Sequence, residues 1–303
     1  MGLKGNASIS LSNTTPKTLG PLWAAHLTII KASNITYGGT VMIAVNVTDE
    51  NNIPFDKGTV YAVIDGRIYS ADVKNGIAII SIPNLNAGNY DVNVTYGEGY
   101  MISPVKFKVS RQNAVIIAEN KVYVINYDGK YSVILKDANG NVLADKRVSF
   151  TLNGKNIASA ITDAKGIATV TLSANILKTL KSGKKSLVIH FTDSNYNEAS
   201  NTVEITISKE KTKIIAKNKK FKRAKKVKKY TVTLKDSRGK ALKKVRITLK
   251  VKGKTYKAKS NSKGKATFKI KKLIKKGKYK VTVTYKGNNY YNKVTKKVKI
   301  IIR

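Results

Sequence analysis

Cysteine is absent, which excludes disulfides, zinc knuckles, iron–sulfur clusters and thiol catalysis together. Histidine occurs twice, at His26 and His190, so imidazole metal sites and acid–base relays have almost nothing to build with. No apolar run approaches the roughly 18–20 residues of a membrane span. The nearest stretch, Leu22-Trp-Ala-Ala-His-Leu-Thr-Ile-Ile30, is too short and contains a histidine. The start, Met1-Gly-Leu-Lys-Gly-Asn-Ala-Ser-Ile-Ser10, lacks the charged-then-apolar order of a signal peptide. Acids are also scarce. Asp and Glu total 17 against 58 Lys and Arg, a net charge of +41.

That scarcity is local. Residues 1–208 hold 20 basic and 15 acidic residues, whereas residues 209–303 hold 38 basic residues and two acids, Glu210 and Asp236. An A/T-rich coding bias inflates Lys and Asn, and the chain carries 27 Asn. Such a bias raises Glu as readily as Lys, so it does not empty the last third of acids.

The apolar content suffices for packed cores: 42% of residues are hydrophobic, with 16 Tyr and 6 Phe. A length of 303 residues allows two or three domains. Internal repeats favour three. Tyr131-Ser-Val-Ile-Leu-Lys-Asp-Ala-Asn-Gly140 aligns with Tyr230-Thr-Val-Thr-Leu-Lys-Asp-Ser-Arg-Gly239, and Asp163-Ala-Lys-Gly-Ile-Ala-Thr-Val-Thr-Leu172 with Asn261-Ser-Lys-Gly-Lys-Ala-Thr-Phe-Lys-Ile270. Gly88-Asn-Tyr-Asp-Val-Asn-Val-Thr-Tyr96 likewise matches Gly277-Lys-Tyr-Lys-Val-Thr-Val-Thr-Tyr285, and a further Tyr (Tyr100, Tyr196, Tyr290) closes each unit. The organisation expected is an N-terminal segment or linker, 1–26, then modules at 27–110, 113–208 and 212–303.

Within the modules the apolar period is two. Tyr279, Val281, Val283 and Tyr285 alternate with Lys280, Thr282 and Thr284, which predicts strands with one buried and one wet face. Turn signals such as Asn261-Ser-Lys-Gly264 punctuate the pattern, giving seven strands near 212–217, 227–235, 244–252, 254–259, 265–271, 278–285 and 292–302. A single helical piece is expected at 174–181. The class is all-β: three tandem Ig-like antiparallel β-sandwiches forming a rod. Tyr90 and Tyr279 fit the tyrosine corner of that fold, where module two has Lys185.

The Thr162-Asp-Ala-Lys-Gly-Ile-Ala-Thr-Val170 and Gly-x-Tyr-x-Val-x-Val-x-Tyr segments resemble the tandem bacterial-type Ig-like repeats of prokaryotic surface proteins. The Lys-rich last module resembles the ends of adhesin-like proteins of methanogenic archaea. The resemblance covers about residues 27–303. It implies an extracellular, cell-surface or cell-wall location, and partners such as an anionic wall or extracellular polymer or a host or partner-cell surface. For this chain it implies the C-terminal part of something longer.

The chain offers no enzyme. His190 stands between Ile189 and Phe191, pointing to solvent, and no Ser–His–Asp grouping has credible members. Asp49, Asp137, Asp163 and Asp236 fall at turns, where Asp bonds nearby backbone N–H groups. No metal, cofactor or small-molecule substrate is expected. Sequons at Asn6, Asn13, Asn34, Asn46 and Asn93 are about as many as so Asn-rich a chain yields by chance.

The lysines carry the functional expectation. In an Ig-type sandwich three connections meet at the pole where the last strand ends. In module three these hold Lys217, Lys219, Lys220, Lys222, Arg223, Lys225 and Lys226, then Lys252 and Lys254, then Lys271, Lys272, Lys275, Lys276 and Lys278, with Arg303 beside them. A polyanion there relieves repulsion and gains counterion-release entropy. The function expected is a non-enzymatic surface adhesin or stalk whose basic module binds anionic polymer. The alternative is an intracellular, non-sequence-specific nucleic-acid-binding protein using the same lysines.

Overall fold

The computed structural model describes residues 25–97, 101–271 and 273–303. The sequons at Asn6 and Asn13, Tyr100 and Lys272 lie outside the described residues.

The chain folds into three Ig-like β-sandwiches that follow one another in sequence. The first contains β1 (His26–Ala32), β2 (Ile35–Thr36), β3 (Thr40–Thr48), β4 (Thr59–Ile64), β5 (Arg67–Asp72), β6 (Ile77–Pro83), β7 (Gly88–Tyr96) and β8 (Met101–Ser110). The second contains β9 (Ala114–Ile117), β10 (Lys121–Val124), β11 (Gly129–Asp137), β12 (Arg147–Leu152), β13 (Lys155–Ile161), β14 (Ile167–Leu172), α1 (Ala174–Leu180), β15 (Gly183–Asp193) and β16 (Tyr196–Ser208). The third contains β17 (Thr212–Ile215), β18 (Lys219–Phe221), β19 (Lys228–Asp236), β20 (Arg246–Val251), β21 (Lys254–Lys259), β22 (Lys265–Ile270), β23 (Gly277–Tyr285) and β24 (Val294–Ile302).

Each sandwich pairs a three-stranded sheet with a five-stranded one in a single order. In the third these are β17-β19-β22 and β18-β24-β23-β20-β21. The free edges β5, β13 and β21 close the five-stranded sheets. The chain divides into two compact units, Met1–Ala114 with Thr192–Glu198, and Val115–Phe191 with Ala199–Arg303.

Two expectations need correction. The third module has eight strands instead of seven, because Lys219–Phe221, read as part of a loop, forms β18. Its pairing with β24 is parallel, as is that of β2 with β8 and β10 with β16, so the sheets are not purely antiparallel. The cause is local. An asparagine at the break in the first strand of each sandwich redirects the chain to the opposite sheet. The Oδ1 of Asn34, Asn120 and Asn218 accepts the N–H of Lys108, Glu204 and Lys299 at 2.7, 2.7 and 2.8 Å. Three residues such as Lys219-Lys-Phe221 are too few for alternation to show.

The alternation itself is realised: Val281, Val283 and Tyr285 are buried while Lys280 is exposed. Tyr131 and Tyr230 are fully buried, and their hydroxyls donate to the carbonyls of Glu119 (2.8 Å) and Lys217 (2.6 Å). Burying a ring of this size contributes about 2 kcal/mol or more, provided its hydroxyl is satisfied. Tyr90 and Tyr279 do form tyrosine corners, donating to the carbonyls of Asn86 and Lys275, both at 2.8 Å. The helix α1 is capped by Ser173, whose Oγ accepts the Ile176 N–H.

The repeated turn before β14 and β22 also has a clear mechanism. Asn261 Oδ1 accepts the N–H groups of Lys263 (3.0 Å) and Lys265 (2.9 Å), as Asp163 does at the equivalent place, and the turn closes on a glycine with φ +70°. A Cβ on Gly264 meets the Leu234 carbonyl oxygen at 2.6 Å, whereas one on Gly253, φ +74°, meets nothing within 4 Å. Gly264→Ala should therefore cost about 2–4 kcal/mol and Gly253→Ala only about 1 kcal/mol. Urea unfolding of the two variants measures the difference, and equal costs would refute the packing account.

Candidate functional site

The two acids of the basic third are engaged in fixed hydrogen bonds. Asp236 closes its own turn: its Oδ1 accepts the N–H groups of Arg238 (3.1 Å) and Lys240 (2.7 Å). Glu210, 1% exposed, joins the second and third sandwiches. Its backbone N–H donates to the Tyr290 carbonyl and its carbonyl accepts the Asn292 N–H, each at 2.9 Å. Its carboxylate accepts Asn126 Nδ2 (2.7 Å), Ser237 Oγ (2.8 Å) and the Tyr127 hydroxyl. The Arg238 guanidinium lies 3.4 Å from the Tyr127 ring centroid, covering the cluster from outside. Burial alone pushes the Glu210 carboxyl up; the bonds from Tyr127, Asn126 and Ser237 outweigh it and hold the group below its ordinary 4.5.

With both acids held near the start of the third sandwich, no carboxylate side chain of this segment reaches the pole where β24 ends. There Phe221 stands opposite Ile302, Gly277 also opposite Ile302, and Lys228 opposite Ile270. The Arg223 N–H donates to the Arg303 carbonyl at 2.8 Å. Segments 217–226 and 271–278 therefore share this pole. The Lys252-Gly253 turn points toward the same end but stops short of it, Val251 being paired with Val281, four residues along β23 from Gly277. The predicted residues Lys220, Lys222, Arg223, Lys225, Lys226, Lys252, Lys254, Lys271, Lys275, Lys276 and Lys278 are all exposed. Lys217 and Lys219 lie along the flank, with Lys219 Nζ 5.2 Å from the Phe221 ring centroid and 3.3 Å from the Lys229 carbonyl oxygen.

Sequence reasoning missed two features. Lys228 is fully buried, its Nζ donating to the Arg223 carbonyl at 3.3 Å beneath the 222–226 loop. The signal was available, since Lys228 shares parity with Tyr230, Val232 and Leu234. The basic surface is also wider than the pole. Lys213 opposes Lys235 and Lys229 opposes Lys269 on the three-stranded sheet, and Lys280 opposes Lys299 on the five-stranded one. Strand registers, which pair these cations, cannot be read from one segment at a time.

Among the described residues no group of three His, Asp or Glu is placed to hold a metal, and no helix is long and apolar enough to cross a membrane. His190 lies half-buried opposite Ser149, on the outward parity of β15. Of the described sequons, Asn93 is exposed, Asn46 is half-buried and Asn34 is engaged at its strand break.

No family model matches the chain, and no curated protein does. Solved structures are similar over most of its length. One, concerning a 1.5-MDa bacterial ice-binding adhesin, is 17% identical with a TM-score of 0.29, covering 92% of this chain and 98% of that one. A tetra-tandem repeat from the extending region of a large adhesion protein is 12% identical with a TM-score of 0.39, covering 92% and 74%. An I-band fragment of titin is 10% identical with a TM-score of 0.34, covering 92% and 98%. At these values no binding partner transfers.

Because Glu210 titrates below its ordinary value, the stability it contributes is full above about pH 4.5 and is lost as pH falls through its folded value. Glu210→Gln keeps the shape without the charge and should cost about 1–2 kcal/mol at neutral pH. Denaturation midpoints of the two proteins between pH 7 and pH 3 should converge on acidification; a constant gap would contradict this role for the carboxylate.

Proposed function

We propose that this chain is a non-enzymatic, adhesin-like surface protein whose third sandwich holds anionic cell-wall or matrix polymer, with the preceding sandwiches as spacers. One observation carries the reading. The two acids of residues 209–303 are bound up at the Glu210 joint and the Asp236 turn, so the lysines at the far pole have no carboxylate side chain of their own segment beside them.

Like charges at this density repel across a Debye length of ~8 Å at physiological salt. A polyanion removes that repulsion and releases its own counterions. The chemistry sets the selectivity. Only Arg223, Arg238, Arg246 and Arg303 of the segment are Arg, so the surface consists of hydrated point charges with few planar forks. The sole helix among the described residues, α1, belongs to the second sandwich, so the basic one presents no helix to a nucleic-acid groove. An extracellular, wall-associated location accompanies this reading.

The test is a salt series on the full chain with isolated cell wall. Affinity should fall about a hundredfold or more between 50 and 200 mM salt. Replacing Lys222, Lys225, Lys226, Lys275 and Lys276 together by Gln should flatten that dependence. Salt-indifferent binding would overturn the electrostatic mechanism; a DNA-bound pool in fractionated cells would favour the nucleic-acid alternative.

A further inference from the structure

One register position differs among the sandwiches in a way that points to a ligand group. In the first, Asp91 of β7 stands directly opposite Lys106 of β8, with Asp91 Oδ2 and Lys106 Nζ 3.1 Å apart. Gly277 opens β23 as Gly88 opens β7, but the last strand is shifted by two residues: Gly88 faces Val109, next to the Asn34-held Lys108, whereas Tyr279 faces Ile300, next to the Asn218-held Lys299. Counted from these glycines Lys280 takes the place of Asp91, and the residue directly opposite it is Lys299, where Asp91 has Lys106. The second sandwich also keeps an acid here. Glu204 of β16, whose N–H is held by Asn120 as that of Lys299 is held by Asn218, meets Lys184 of β15 at 3.1 Å. In the third sandwich two ammonium groups face each other instead.

Like charges directly opposite in an antiparallel pair are destabilising, with strands only ~4.8 Å apart. The surroundings do not relieve them. Lys250 faces Thr282, which in turn faces Lys297, and the next row alternates Lys257 with Thr248, Thr284 and Thr295. These residues lie on the outer face, since Leu249, Val281, Val283, Val298 and Ile300 between them are buried. No acid occurs on these strands.

Resting on the reading of the third sandwich as a polyanion binder, we propose that the outer face of its five-stranded sheet docks an acidic polysaccharide. A carboxylate of the polymer bridges Lys280 and Lys299, supplying the negative charge that Asp91 contributes to the directly opposed pair in the first sandwich. Threonine hydroxyls interleaved with ammonium groups match a chain that alternates hydroxyl and carboxylate. Nucleic acid fits less well: Arg246 is the one planar fork on these strands, and a flat face reaches few phosphates of a duplex.

The experiment uses the full chain with polygalacturonate as the carboxylate probe. Lys280→Asp restores the first sandwich's acid–base pair. Lys263→Asp makes the same charge change in the turn between β21 and β22, away from this face. Lys280→Asp should raise the unfolding temperature and weaken polygalacturonate binding about tenfold, while Lys263→Asp changes binding less than about twofold. Equal weakening by both variants, or unchanged binding in Lys280→Asp, overturns the inference and leaves the broader reading intact. So does displacement of polygalacturonate by duplex DNA at matched charge. Failure of the unaltered protein to bind both polygalacturonate and isolated wall at low salt overturns the broader reading itself.

Discussion

Mutual repulsion among 38 cations in the last 95 residues is the constraint to which the third sandwich answers. A free energy of folding of only about 5–15 kcal/mol separates a typical domain from its unfolded chain, so self-repulsion on this scale must be met by a thoroughly apolar interior. That interior is present. Leu234, Ile247, Leu249, Ala266, Ile270, Val281, Val283 and Ile300 are all fully buried, around Tyr230 and Phe268. Charge on the outward parity and aliphatic burial on the inward one coexist because a strand separates them at every residue.

The few acids are placed where geometry needs them. Asp49, Asp163 and Asp236 each take two backbone N–H groups through one carboxylate oxygen at a turn. Glu210 does more, since three side-chain donors from both flanking sandwiches converge on it. The corresponding linker residue after β8 is the uncharged Gln112. It makes the same backbone bridge, donating to the Asn195 carbonyl at 3.0 Å and accepting the Asn197 N–H at 2.9 Å. The main-chain joint is thus a property of the repeat, and the carboxylate is an addition of the basic sandwich.

Much of the fold was legible because strict alternation fixes both strand identity and the inward face. The tyrosine corners at Tyr90 and Tyr279 and the helix after Ser173 were readable from position alone. What escaped was whatever depends on pairing between distant segments. The crossover at Asn218 looks like any loop asparagine until its acceptor bond to Lys299 is seen. The basic pole was legible from connection order, but the opposition of Lys280 and Lys299 was not, because 18 residues of intervening chain set their register. Lys228 stands between these cases. Its parity marks it as inward, yet a buried lysine runs against the general expectation that ammonium groups stay in water.

The free edges of the five-stranded sheets differ in a way that bears on handling the protein. The third sandwich's edge, β21, carries Lys254, Lys257 and Lys259, and an approaching strand would have to desolvate these ammonium groups before it could hydrogen-bond. The corresponding edge β13 carries one charge, Lys155 at its start, then runs Asn156-Ile-Ala-Ser-Ala-Ile161, ends in an isoleucine 57% exposed, and is interrupted by a single bulge opposite Phe150 and Thr151. Self-association through sheet extension, when the protein is concentrated or stressed, therefore has its natural seed in the mildly charged middle of the chain, while the cationic end stays dispersed.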